Sequence, residues 1–109
     1  MTVRPLTPSE LDVHALFPQY NLSPKYYVYR HNDFDGRCMY VGKGCGKRAW
    51  HITKRDSAHK AWIENCYHDY VELVEENLTE LQAFRIENQL LREESPRFNK
   101  IRNYWKEKN

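Results

Sequence analysis

The sequence predicts an α+β fold, a small three-stranded antiparallel sheet flanked by helices. Three observations predict it: two short β-rich runs joined by turn chemistry, a third alternating run far downstream, and helix start and stop signals around them. The first pair is Tyr26-Tyr27-Val28-Tyr29-Arg30 and Cys38-Met39-Tyr40-Val41, separated by Asn32-Asp33-Phe34-Asp35-Gly36, so an antiparallel hairpin is expected. The third strand is expected over Tyr70-Val71-Glu72-Leu73-Val74.

Helices fill the intervals. Thr7-Pro8-Ser9-Glu10 is a capping box with proline at the first helical position, and a short helix over 8–16 should follow, stopped by Pro18. Residues 1–24 thus read as an N-terminal helical extension to a domain over 25–109. All four glycines lie between Gly36 and Gly46; Gly42, Gly44 and Gly46 should break regular structure after the second strand. Helix is expected from about Gly46 through His51, interrupted near Asp56-Ser57, then from about Ala58 to Cys66, with Trp50 and Trp62 in the core. A second capping box, Thr79-Glu80-Leu81-Gln82, opens a helix that Ser95-Pro96 ends.

That last helix holds the most informative residue. Glu87 has Ala83, Phe84, Leu90 and Leu91 as its neighbours three and four positions away, so a carboxylate occupies an apolar stripe. Burying a lone charge costs several kcal/mol, on the order of a whole residue's packing energy, and demands a cation, a metal or a function. Upstream lie Tyr29, Tyr40, Lys43, Lys47, Arg48 and His51. One acid with phenols, guanidinium, ammonium and imidazole is the inventory of a metal-assisted phosphodiesterase.

Composition narrows the class. Hydrophobic residues at 40% and aromatic residues at 14% suit a folded chain of 109 residues. No apolar run approaches bilayer-spanning length, so no membrane association is expected. Cys38, Cys45 and Cys66 form no CxxC pair and match no familiar zinc module; they read as reduced thiols of a cytoplasmic protein. The net charge is only +2, but Lys43, Lys47, Arg48, Lys54, Arg55 and Lys60 face a single acid, Asp56, within 43–60. The acids concentrate between Glu64 and Glu94. Such segregation fits one face turned to phosphate.

These pieces resemble the GIY-YIG nuclease family. The first signature reads Tyr27-Val28-Tyr29 where the family has Gly-Ile-Tyr, and the second reads Tyr40-Val41-Gly42 for Tyr-Ile-Gly, 11 residues on from Tyr29 to Tyr40. Lys43 follows directly, then Arg48 in the first turn of the next helix and His51 one turn on. Glu87 resembles the family's metal-binding glutamate, and Pro96-Arg97-Phe98-Asn99 its Pro-Arg-Tyr-Asn segment. The likeness covers about residues 25–100. Tyr27 departs from the family's glycine, and Arg48 stands slightly close to Tyr40, which requires a tight glycine loop. The compact Gly42–Arg48 stretch looks most like the LEM-domain-associated and related bacterial or phage branch.

The resemblance implies a metal-dependent DNA endonuclease. Glu87 would bind a single Mg²⁺ or Mn²⁺, and Arg48 would stabilise the transition state. Tyr40 or Tyr29 would orient or deprotonate the attacking water, or the metal would supply hydroxide and the phenols only position it. A phenol titrating near pH 10 stands roughly three units above neutrality, a penalty of about 4 kcal/mol that cations must offset. His51 would move a proton, Lys43 would add charge, and Asn99 would support Glu87 or nearby backbone. Lys47, Lys54, Arg55, Lys60, Lys100 and Arg102 would contact phosphates away from the cut. No separate recognition module is visible, so specificity would come from DNA shape, an accessory specificity protein or a homodimer. The alternative is a catalytically silent nucleic-acid-binding module on the same fold.

Overall fold

The computed structural model describes residues 21–99. The expected helix over 8–16 and the tail with Lys100, Arg102 and Trp105 lie outside the described residues.

The hairpin forms where turn chemistry places it. Strand β1 (Tyr26–Asn32) pairs antiparallel with β2 (Cys38–Gly44), in a register that sets Tyr29 opposite Gly42 and His31 opposite Tyr40. The turn is tied by Asp33, whose Oδ1 accepts from the Asp35 and Arg37 N–H groups, and Gly36 takes the left-handed φ of 85° that closes it. Strand β3 (Val71–Leu78) pairs antiparallel on the other side of β1, so the order is β2-β1-β3 and β2 is an edge.

Two expectations fail here. Gly42 and Gly44 do not break regular structure; they are the last residues of β2, and their missing side chains are filled by neighbours. Continuous helix from Gly46 does not form either. Arg48–Trp50 makes only a 3₁₀ turn, His51 is extended at ψ 136°, and helix resumes as α1 (Ser57–Glu64). The Arg55 side chain explains the stop. It donates from Nη2 to the Arg48 carbonyl and from Nε to the His51 carbonyl, both at 2.9 Å, taking acceptors that helix propagation would need. Asp56 then caps α1, its Oδ1 accepting from the His59 N–H at 2.9 Å.

Helix α2 (Glu80–Glu94) follows its signals. Thr79 and Gln82 form the reciprocal capping box, and Ser95 ends the helix at a left-handed φ of 46°.

Alternation along the strands splits the core between the two faces of the sheet. On one face Val28 and Val41 pack with Leu78, Ala83, Leu90 and Leu91 against α2. On the other, Tyr27 and Tyr29 pack with Ala49, flanked by Tyr40, Val71 and Leu73. Each fully buried aliphatic side chain contributes about 1.5–3 kcal/mol. The basic segment and the Glu87 helix do share the small sheet, on opposite faces. Trp62 is half-buried against His31, but Trp50 is 47% exposed, so it is not the core residue its position suggested.

Candidate active site

The phenol face is built around absent side chains. A Cβ at Gly42 would stand 2.6 Å from Tyr29 Cζ and Oη and 2.9 Å from Tyr40 Cε2. Glycine there lets the Tyr29 and Tyr40 rings lie side by side, with centroids 6.1 Å apart. Gly44 does the same for Arg48, whose Cγ and Cβ fill the place of a side chain at 2.6 and 2.7 Å. Tyr27, which stands where the resemblance expects glycine, donates its phenol proton to the Gly46 carbonyl at 2.8 Å and accepts from the Ala49 N–H at 2.9 Å. It fastens the loop that carries Arg48.

Arg55 is the residue that charge reading misplaced. Expected on the surface as a distant phosphate contact, it is 9% exposed, with its guanidinium 5.6 Å from the Tyr29 ring centroid and 5.0 Å from that of Tyr40. Burial holds the Tyr29 phenol protonated well above its ordinary range, reinforced by Tyr40 and opposed by the Arg55 and Arg48 charges. Two polar atoms of this cluster, one Arg48 terminal nitrogen and one of Arg55, are buried without a hydrogen-bond partner, and Tyr29 Oη has only the neighbouring Arg55 guanidinium to draw on. Orphaned buried donors are costly, and here they are the donors an anionic ligand would satisfy.

Beside them stands a second group that the sequence reading missed. His59 is 1% exposed, its ring centroid 4.5 Å from that of Tyr40 and stacked on Phe98 at 5.0 Å. Its Nε2 lies 2.9 Å from Nδ1 of His31, which is fully buried. Tyr40, Lys54, Arg55, Asp56, His59, Phe98 and Asn99 line one cleft. His51, by contrast, is exposed and joins none of the ring contacts among the described residues. The signal for the swap was present: Arg55 and His59 straddle the Asp56 cap four residues apart.

Glu87, Lys43 and Asn99 meet at the free edge of β2. The Asn99 side chain accepts from the Val41 N–H at 2.8 Å and donates to the Val41 carbonyl at 2.7 Å, so Val41 turns its backbone away from β1. Lys43, two residues on, faces the same way. Its backbone N–H and ammonium both draw on the Glu87 carboxylate, yet burial prevails and pushes that carboxyl up to about 7. The Lys43 ammonium is engaged by Glu80 at 3.6 Å. Tyr29 therefore reaches the edge at Gly42 from one face, and Glu87 reaches it at Lys43 from the other. Lys47, Lys54 and Lys60 are exposed.

Among the described residues no three His, Cys, Asp or Glu side chains form a metal cage. A desolvated carboxylate that shares its neighbouring Lys43 ammonium with Glu80 suits a hard divalent ion that keeps most of its water shell, and Mg²⁺ commonly takes only one or two protein carboxylates.

Neither a family sequence model nor a curated protein sequence matches the chain. A solved structure does: the GIY-YIG N-terminal endonuclease domain of UvrC from Thermotoga maritima, bound to its catalytic divalent cation, magnesium. The TM-score is 0.55 at 21% identity, over 86% of this chain and 99% of that one. The three-stranded antiparallel sheet with its flanking helices is the fold of a GIY-YIG endonuclease domain.

Proposed function

We propose that the protein is a divalent-metal-dependent DNA endonuclease that hydrolyses phosphodiester bonds. The observation that carries the reading is the pair of buried, partnerless guanidinium donors on Arg48 and Arg55 beside the Tyr29 phenol, next to an edge to which α2 brings a desolvated carboxylate. A scissile phosphate would accept from the two guanidinium groups, whose fixed forks match its oxygens and stabilise the charge that builds at phosphorus. Glu87 would hold the ion, which supplies Lewis-acid stabilisation and eases deprotonation of water. Tyr40, on the cleft wall, would orient the attacking water, with Tyr29 protonated beside it as a donor. His59 would accept the proton. Burial first, and then the Arg55 and Arg48 charges, hold His59 low; a phosphate's negative charge opposes the arginine part, so substrate binding itself raises its basicity.

Exposed Lys47, Lys54 and Lys60, with Lys100 and Arg102 of the tail, supply sequence-independent phosphate contacts. Selection among substrates would then rest on DNA shape. The short Gly42–Arg48 segment supports placement near the LEM-domain-associated branch.

The test is cleavage of labelled linear, nicked, flap and four-way DNA with Mg²⁺, Mn²⁺ or EDTA, by wild type, Glu87→Ala and Arg55→Ala. Metal-dependent cutting that both substitutions abolish supports the proposal. Binding without cutting by all three proteins sinks it in favour of a silent DNA-binding module.

A further inference from the structure

Four groups run in a chain from the sheet to the cleft: Tyr27, Ala49, His31 and His59. Its chemistry is fixed at one end by backbone. The Ala49 carbonyl can only accept, so His31 Nε2, 2.7 Å away, must carry a proton. A neutral imidazole has one N–H, which leaves His31 Nδ1 as a lone pair. His59 Nε2, 2.9 Å from that lone pair, must in turn donate. The remaining nitrogen of His59, Nδ1, is then its basic atom.

We infer that His31 is a positioning residue for catalysis: through the Ala49 carbonyl it fixes His59 in the Nε2–H tautomer, so that His59 enters the reaction as a neutral acceptor at Nδ1. The inference deepens the nuclease reading and rests on it for the identity of the reaction.

Ala49 cannot drift to suit another tautomer. Its N–H is held by the Tyr27 phenol and its carbonyl belongs to the 3₁₀ turn that Arg55 staples. Two neighbours favour a charged ring, Asp56 at His59 and the Ala49 carbonyl at His31, and burial outweighs both. Around His59 stand Arg55 and Arg48, which oppose a second cation, and Asp56, which favours it less than burial disfavours it. Around His31 the facing groups are Tyr29, Tyr40, Tyr70, Trp62 and His59, none carrying negative charge, and burial keeps the ring neutral. With both rings neutral, only this order of tautomers satisfies the Ala49 carbonyl and both inner nitrogens together.

The direct test is ¹⁵N-detected imidazole NMR on the intact protein, with no substrate. Both rings should be neutral at pH 7 in the Nε2–H form, and the His59 Nε2 proton should be shifted downfield and slow to exchange. A proton on Nδ1 of His59, or a shared cation, would overturn the inference whether or not the protein cuts DNA. The second test is kinetic. His31→Phe should lower kcat by about 10–100-fold with little change in KM, because the acceptor is misplaced and substrate contacts are not. His31→Gln, which can donate to Ala49 and offer an oxygen to His59, should recover much of the loss. Equal kcat per folded molecule in Phe and Gln variants would reduce His31 to a packing residue. If His31→Phe does not fold, the wild-type tautomer still decides.

Discussion

Gly42 shows how a single missing side chain organises the site. Sequence alone reads it as punctuation after a strand, because glycine usually marks a break. Its use is spatial: the Tyr29 phenol and the edge of the Tyr40 ring occupy the volume a methyl would take. Gly42→Ala should therefore cost about 1–3 kcal/mol in urea unfolding, since Tyr29 is fully buried and its ring has little room to move. Cleavage should fall further than the folded fraction does, because both phenols are displaced. Full activity in Gly42→Ala would mean that phenol placement is not limiting. Arg55 makes a related point. Its charge was legible, but its partners are the Arg48 and His51 carbonyls, and backbone acceptors leave no mark in a sequence. Arg55→Lys keeps the charge and loses the fork that spans both carbonyls. Cleavage should drop at least about 10-fold, with an unchanged rate showing that charge alone suffices. Glu87 was legible for the opposite reason: a carboxylate on an apolar helical stripe contradicts its surroundings, and the contradiction needs no third dimension to be seen.

At the scale of elements, legibility followed whether the signal was local. The Thr79–Gln82 box, the Ser95-Pro96 stop and the Asp33–Gly36 turn each complete their hydrogen bonds within a few residues, and the structure has all three where expected. The stretch from Gly42 to Asp56 carries no such motif. Its strand end is filled by Tyr29 and Arg48 and its helix is cut short by Arg55, so helix propensity lost to side chains that take volume and backbone acceptors no sequence motif marks. The edge of β2 is a further case. An unpaired strand edge exposes backbone groups, and here Asn99, 58 residues away, closes Val41 with both halves of its amide. Asn99→Ala should destabilise the protein by about 1–3 kcal/mol. Asn99→Asp should be no better despite its shape, because a carboxylate can accept from the Val41 N–H but sets negative charge against the Val41 carbonyl. Thermal melts of the two variants decide it; an Asp variant as stable as wild type would show that only the accepting half matters.

The molecule as a whole sets two desolvated titrating centres against each other. His31 and His59 lie on one face of the sheet, pushed down to about 3 and about 4, whereas Glu87 approaches from the other, pushed up to about 7. The histidine pair was not readable from the sequence, since His31 and His59 are 28 residues apart and only the fold brings them together. The signs of their effects differ. An unfolded histidine titrates near about 6.5, above both folded values, so unfolding takes up about two protons as pH falls from 6.5 towards 4, and the folded state loses stability over that window. Glu87 is protonated in the folded state where its unfolded form is not, between about 4.5 and about 7, so unfolding releases about one proton and stability is gained as pH falls. From about pH 6.5 down to about 4.5 the two tendencies oppose, leaving a net uptake of about one proton. Glu87→Gln removes the compensating release. In EDTA, urea unfolding free energies of Glu87→Gln should therefore fall about twice as steeply as wild type between pH 6.5 and 4.5. At pH 8 the variant should be the more stable protein, freed of a desolvated carboxylate. Parallel curves for the two proteins would mean that Glu87 is solvated in the folded chain, and with it would go the reason for assigning that carboxylate an ion.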